Sequence, residues 1–363
     1  MSYDCIKPGQ VWLDTEGNRI QAHGGSVIYD KGTFYWYGEN KERYDATAGI
    51  WHWGVKFYSS KDLYNWKDEG IIIPPDEEDE TSPIHPKQQM DRPHILYNGR
   101  TQKYVCWLKI AGTGGKQTEA VLTADNILGP YTMVHRALRP LGMYAGDFDL
   151  VADPHDGKAY YYFERVHNEM ICADLTDDYT NVTGYYSTHF PLVAPPAVRE
   201  APAHFFRNGK HYLFTSGTTG YFPNPSEVAV ADSYHGPFKV LGDPHREDTS
   251  RTSFNSQIGC VFKHPNKKDL YIVMADRWVP RLAEMGGKEA FESGKIYEKL
   301  AAATAALYAG GPSQENGGAG SMNAMANLVN PSIADYVWLP VHFEENGTPY
   351  LVWSDEWRIE DFE

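Results

Sequence analysis

Five places in this chain pair a chemically capable side chain with the head of an apolar, aromatic or β-branched run: His23; Asp91 with Arg92; Asp147 with Asp149; Glu200; and Asn255 with Gln257. Three contribute a carboxyl group and one an amide. Cleavage of a glycosidic bond calls for such a set. One carboxyl, kept protonated, gives its proton to the leaving oxygen, and a second group on the other face of the sugar orients or deprotonates water. Glu200 is the candidate acid. Crowding by Asp147 would raise its pKa and keep it protonated near neutral pH. Taken singly, each residue has a plainer reading as a turn cap or as partner of an adjacent arginine, Arg92 for Asp91 and Arg199 for Glu200. Successive strand residues point to opposite faces, which weakens both pairings.

The segment Arg199 to Gly217 shows what must position these groups: a strand, an Asn208-Gly209 turn and a second strand rich in aromatic and β-branched residues. The same grammar recurs from Gly25 to Glu39, from Pro93 to Leu108, from Phe148 to Phe163 and from Ile258 to Met274, with two further strand candidates after most hairpins. Gly129-Pro130-Tyr131 and Gly236-Pro237-Phe238 fall at the same point of two units. Repeats of about 50 residues with four short strands each predict an all-β, five-bladed β-propeller, a single domain spread over residues 1–363. A tandem β-sandwich is the alternative, and the regular period argues against it. Residues 281–332 interrupt the last unit as a partly helical insertion, helix-forming from Lys288 to Tyr308. Tyr336 to Pro340 and Tyr350 to Trp353 then supply a hairpin that completes blade five. In a propeller the innermost strands begin at one mouth of the central channel, where the polar residues above would converge.

Composition narrows the partners. The 363 residues carry a formal net charge of −15, and no basic stripe is available to neutralise phosphates, so nucleic acid is excluded. Four distant cysteines and histidines without helical i, i+4 spacing give no metal-site pattern; no cofactor is expected, although His23 could face a structural ion in the channel. The N-terminus lacks a leader-like segment and no apolar run approaches about 18 residues, so the expectation is a cytoplasmic protein without membrane contact. Trp51, Trp53, Trp278, Trp338 and Trp357 are candidate stacking platforms for sugars. Gly114-Gly115 and the Gly310 to Gly320 stretch do not fit a phosphate-binding loop. The assembly state is left open.

At these residues the chain resembles glycoside hydrolase family 43, and more closely its exo-β-1,3-galactanase branch. The matching stretches are Ile20 to Gly25, Tyr35 to Glu39, Arg92-Pro93, Asp147, Arg199 to Pro202, Thr215 to Gly217, Asn255 to Gln257, Asp276 to Trp278 and Tyr336 to Pro340. The resemblance implies Glu200 as general acid, Asp147 as the carboxylate that tunes it, and Gln257 as the group holding the attacking water. It also implies Glu39, Asp91, Arg92 and Thr219 as contacts to the terminal sugar; His23, Trp278 and Asn255 join them as binding candidates. Since a neutral amide is a poor base, Asp91 or Glu39 is the candidate to take the water's proton, which makes Asp91 a catalytic candidate as well. The wider family's blade-one aspartate is replaced by His23, and Asp91 stands where the branch usually has glutamate. The tyrosine that the family carries after the second hairpin has no counterpart among Gly112 to Thr118. The function implied is an inverting exo-glycosidase that releases terminal galactose from β-1,3-linked galacto-oligosaccharides. The rivals are an α-L-arabinofuranosidase or β-xylosidase of the same fold, a glycoside phosphorylase using Arg92 and Arg277, and a non-catalytic sugar-binding propeller.

Overall fold

The computed structural model describes residues 2–112, 116–190, 194–309 and 329–363. The Gly114-Gly115 and Gly310 to Gly320 stretches, and part of Gly112 to Thr118, therefore lie outside the described residues. The chain divides into two compact units, the first mainly 12–166 with 171–188, the second mainly 189–363 with Cys5–Val11 and His167–Met170.

The first unit holds three antiparallel sheets, each running in chain order from its innermost strand outward. They are β1 (His23–Asp30), β2 (Thr33–Glu39), β3 (Val55–Ser60) and β4 (Lys67–Ile73); β5 (Gln89–Asn98), β6 (Lys103–Ala111), β7 (Gln117–Ala124) and β8 (Thr132–Leu138); and β9 (Ala145–Ala152), β10 (Ala159–Arg165), β11 (Glu169–Leu175) and β12 (Val182–His189). The strands β1 and β5, and then β5 and β9, pack side by side. Their apolar faces form two cores, one around Tyr37, Phe57, Cys106 and Leu108, the other around Trp107, Phe148, Tyr161 and Phe163. The strand β12 is not expected from the sequence; as an outer edge it is mostly exposed, so it shows no buried-face alternation.

The second unit holds the sheet β13 (Arg199–Arg207), β14 (Lys210–Gly217), β15 (Ser226–Ala231) and β16 (Lys239–Gly242), and the three-stranded sheet β17 (Gln257–Lys263), β18 (Tyr271–Arg277) and β19 (Asp335–Pro340). These five sheets correspond to the five expected blades. The last differs in detail. Residues 350–353 do not extend it: Tyr350 belongs to a two-stranded ribbon of β20 (His342–Phe343) and β21 (Pro349–Tyr350), and Leu351 bridges to His245. Between the adjacent strands β18 and β19 the chain leaves the sheet to form α1 (Leu282–Gly286), α2 (Lys288–Glu292) and α3 (Lys295–Leu307), which bury Leu282 and Ile296 against Trp278, Val279 and Val329.

Each innermost strand carries a register irregularity near its head. In β1, Gly24-Gly25 face one residue of β2; in β5, Arg92-Pro93 face one residue of β6; in β9, Gly146-Asp147 face one of β10; in β13, Ala201-Pro202 face one of β14. In β17 the extra residue is Gly259. These are β-bulges, which bend a strand and re-aim the side chains beside them. The first one leaves no room for side chains, since a Cβ on Gly25 would stand 1.7 Å from the Tyr37 carbonyl oxygen and one on Gly38 2.1 Å from the Ala22 carbonyl carbon.

Gly38→Ala should therefore destabilise the protein by more than about 3 kcal/mol, the range of severe core defects. Gly32→Ala, at φ 82° with nothing within 4 Å of the new Cβ, should cost only about 1–2 kcal/mol of backbone strain. Urea unfolding of the two variants checks the contrast.

Candidate active site

In the first unit the bulge of β5 organises a buried charge cluster. Arg92 sits at φ 51°, which takes its N–H out of the ladder, and that N–H donates instead to Glu39 Oε1 at 2.9 Å. Glu39 ends β2, opposite His23. It can approach only because Gly24 has no Cβ, which would lie 2.5 Å from Glu39 Oε1. The Arg92 side chain turns the other way and pairs with Asp147 Oδ2 at 2.8 Å. Lys109, the ladder partner of Asp91, reaches Asp147 Oδ1 at 2.8 Å and Asp91 Oδ2 at 3.9 Å. Lys41, fully buried, lies 2.8 Å from Glu39 Oε2 and 3.7 Å from Asp91 Oδ1, with its ammonium 4.4 Å from the Trp51 ring centroid. The Trp51 indole N–H donates to Asp91 Oδ1 at 2.8 Å.

Three carboxyl groups thus share three cations, and their surroundings separate them. Burial pushes Glu39 up to about 7, only partly opposed by Lys41 and reinforced by Asp91. Burial acts on Asp91 in the same sense, but Lys41, Lys109 and the Trp51 N–H together hold it below the usual carboxylate range. Asp147, also buried, is held well below that range by Arg92 and Lys109. Behind this cluster Glu119 is completely buried and accepts a 2.9 Å hydrogen bond from the Tyr161 hydroxyl; burial raises it far above its ordinary value, against Tyr161 and Lys109.

In the second unit the bulge at Ala201 (φ 49°) follows Glu200 directly. Glu200 pairs in register with Ser216. The Gln257 amide donates to Glu200 Oε1 at 3.3 Å and to Ser216 Oγ at 3.0 Å, while its own oxygen accepts from the Trp278 indole N–H at 3.4 Å. With Trp278 donating to the oxygen, the Gln257 NH2 must face the carboxylate and the hydroxyl. Arg199 does not compete for Glu200 by hydrogen bonding; its guanidinium donates to the Thr215 hydroxyl and carbonyl and approaches Glu227. His167 brings a ring nitrogen within 4.8 Å of a Glu200 oxygen, and its ring packs edge-on to Tyr308, the residue that ends α3, at 5.3 Å.

The structure therefore groups Glu39, Asp91, Arg92 and Asp147 in one unit and Glu200, Gln257 and Trp278 in the other. Other sequence candidates are placed differently. His23 is fully buried, its Nε2 3.0 Å from Gln21 Oε1. Asp149 lies 3.3 Å from the His94 Nδ1, and burial lowers His94 to about 4, leaving that ring neutral. Thr219 is buried and braces its own loop, donating to the Phe222 carbonyl and accepting from Asn224. Trp278 presents little surface for stacking; its ring packs on Tyr221 at 4.9 Å. Asn255 donates to the Val279 carbonyl at 3.1 Å. Arg92 and Arg277, the cations available to a phosphorylase by sequence, are committed to Asp147 and to three backbone carbonyls respectively. Lys41, Lys109, Ser216 and His167 were not singled out from sequence. Counting a regular ladder back from each hairpin turn would have placed Ile110 opposite Asp91 and Gly217 opposite Glu200; the bulges shift each register by one, to Lys109 and Ser216.

Residues 20–288 match the model of glycosyl hydrolases family 43. No curated protein matches the chain by sequence. Among solved structures, the family 43 β-1,3-galactosidase BT0265 is 29% identical, with 99% of this chain and 64% of that chain covered at a TM-score of 0.75. The β-1,3-galactosidase BT3683, solved with galactodeoxynojirimycin, is 28% identical, with 98% of this chain and 100% of that chain covered at 0.75. The exo-β-1,3-galactanase 1,3Gal43A from Clostridium thermocellum is 25% identical, with 97% and 66% covered at 0.70. The chain thus spans less than two thirds of the length of BT0265. The likeness runs over nearly all of this chain, so its fold class is the five-bladed β-propeller. With the family model running through four of the five sheets and into the last, the chain belongs to glycosyl hydrolase family 43.

Proposed function

We propose that this glycoside hydrolase is an inverting exo-glycosidase that releases terminal galactose from β-1,3-linked galacto-oligosaccharides. The observation that carries the reading is the Glu200–Gln257 pair, a carboxyl hydrogen-bonded at 3.3 Å to an amide that Trp278 orients. The galactosidase and galactanase activities named for the similar structures supply the sugar and linkage.

In this reading Glu200 gives its proton to the leaving glycosidic oxygen while water attacks the anomeric carbon in a single displacement, held by the Gln257 amide. An amide orients water but does not take its proton. Of the carboxyls in the charge cluster, Glu39 alone is held near 7, the basicity suited to accept a proton at neutral pH; Asp91 and Asp147 are too acidic. Asp91, Asp147 and Arg92 are charged and rigidly held, which suits them to fix hydroxyls of the terminal sugar. Water replaces the leaving group on the opposite face, so the released galactose is the α-anomer. The same-fold pentosidases and a sugar-binding protein without turnover are told apart by the product.

Incubation with β-1,3-galactobiose and a panel of nitrophenyl glycosides should release galactose, seen first as the α-anomer by proton NMR. Glu200→Gln should lower kcat by roughly a hundredfold or more. Pentose release in place of galactose would move the specificity to the rival enzymes. No sugar from any member of the panel would leave the binding-protein reading.

Glu39 also makes a stability prediction. Its folded pKa lies above its ordinary 4.5, at about 7, so the folded state holds the proton more tightly than the unfolded chain. That contribution is fully present below pH 4.5 and is lost as pH rises through 7. Glu39→Gln, which cannot ionise, should remove the loss: relative to the parent, the variant should gain up to roughly 3 kcal/mol between pH 5 and pH 8. Parallel stability–pH curves in urea unfolding would refute it.

A further inference from the structure

Gln257 is preceded by an unusual piece of backbone. Ser253, Phe254 and Asn255 have φ of 54°, 58° and 56°, following Arg251 at 57° and Glu247 at 63°. L-residues visit this left-handed region singly, not in runs. A run of three persists only where its surroundings over-determine it, and such places cluster at functional sites.

The surroundings are on view. The Asp248 carboxylate accepts the N–H groups of Thr252 at 2.9 Å and Phe254 at 3.1 Å. The Thr252 hydroxyl accepts the Asn255 N–H at 3.0 Å, and the Ser253 hydroxyl donates to the Asn224 carbonyl at 2.8 Å. The carbonyls of Phe254 and Asn255 are met by one side chain. Arg277 donates from Nη2 to the Phe254 oxygen at 3.0 Å and from Nε to the Asn255 oxygen at 3.2 Å. Its third nitrogen, Nη1, donates to the Gly9 oxygen at 3.2 Å. Gly9 must be glycine for this: a Cβ there would fall 2.1 Å from Nη1. Arg277 is the register partner of Asp335 and lies 5.3 Å from the Trp353 ring. It ends β18 and is followed directly by Trp278, whose indole orients Gln257.

We propose that Arg277 is a positioning residue. Its guanidinium clamps the carbonyls of the left-handed turn 253–255 and so sets where the Gln257 amide stands against Glu200 and Ser216, with the segment around Gly9 as the third point of the clamp. The inference rests on the reading that Gln257 holds the attacking water, and it adds a residue that touches neither sugar nor water. A lysine in place of Arg277 keeps the charge but has one nitrogen and no fork, so it cannot hold two successive carbonyls and Gly9 together. Gly9→Ala disturbs the clamp from a residue remote in sequence.

Two measurements test it. The first needs no activity. The Trp278 indole N–H resonance, identified in a nitrogen-15 spectrum by its loss in Trp278→Phe, should shift in Arg277→Lys and in Gly9→Ala, as it should in Gln257→Ala, while the other indole resonances stay dispersed. If both variants remain folded and this resonance stays put, the proposal is overturned, whether or not the parent cleaves any sugar. The second is a double-mutant cycle on galactose release. Arg277→Lys should lower kcat roughly tenfold to a hundredfold, the range for a misplaced reacting group, with KM within about twofold of the parent. In the Gln257→Ala background it should have no further effect, because the residue it positions is gone. Equal losses in both backgrounds would mean that Arg277 acts by some route other than Gln257 and would also overturn the proposal. An inactive parent whose Trp278 resonance still shifts would support the clamp and defeat only the catalytic reading.

Discussion

A single surplus residue near the head of the innermost strand is the constraint on which the candidate site depends. In a regular ladder the backbone N–H of Arg92 would bond across the sheet and its neighbours would alternate faces. At φ 51° that N–H is released and finds the Glu39 carboxylate. Glu39 is thereby pinned beside Lys41, and the Arg92 guanidinium is directed to Asp147. The equivalent irregularity at Ala201 lies directly after Glu200. Proline at the second bulge position in both strands, Pro93 and Pro202, fits a place where no ladder N–H is required. A left-handed Arg or Ala costs about 1–2 kcal/mol, and the long paired ladders that follow each bulge hold it there.

The two units solve the problem of burying polar groups by different means. The first uses ions. Taking a carboxylate out of water is unfavourable unless it is matched, and the number of cations against each acid decides its state: two nearby for Asp147, two and an indole N–H for Asp91, one for Glu39. Identical chemistry in residues a few ångströms apart thus yields two permanent anions and one group that titrates near neutrality, a separation of the kind that assigns acid and base roles. The second unit relies on directed neutral groups around one carboxyl. Trp278, Gln257, Ser216 and Glu200 form a chain in which the Gln257 amide accepts from the Trp278 indole and donates to the Ser216 hydroxyl and to Glu200.

The described helices 282–307 tie into this second arrangement through packing. Their apolar residues cover Trp278 and Val279, and Tyr308 rests against His167, the residue that comes close to Glu200. The helical segment, which has no place in a regular blade, is therefore packed against the supports of the candidate acid and of the Gln257 amide.

The hairpin units could be read directly from the chain, because alternation, Asn-Gly and Asp-Gly turns and the repeated Gly-Pro-aromatic element are local signals; both Gly-Pro bonds, at 129–130 and 236–237, occupy matching places before the outer strands. The carboxyls and Gln257 were legible for the same reason, since each heads a recognisable strand. Strand β12 was not, because an outer edge with Tyr185 and Tyr186 exposed has no buried face to mark it, and the last sheet stops at β19, paired to β18, with Tyr350 drawn into another ribbon. Lys41 and His167 sit in loops with no period at all, and Arg277 looks like any strand arginine until its three carbonyl partners are seen. The sequence by itself determined which residues alternate, turn and repeat, since those depend on neighbours along the chain. Which acid meets which cation, which histidine approaches Glu200 and which turn is forced left-handed were decided only by the tertiary structure, because each depends on register and packing between segments that the chain order keeps far apart.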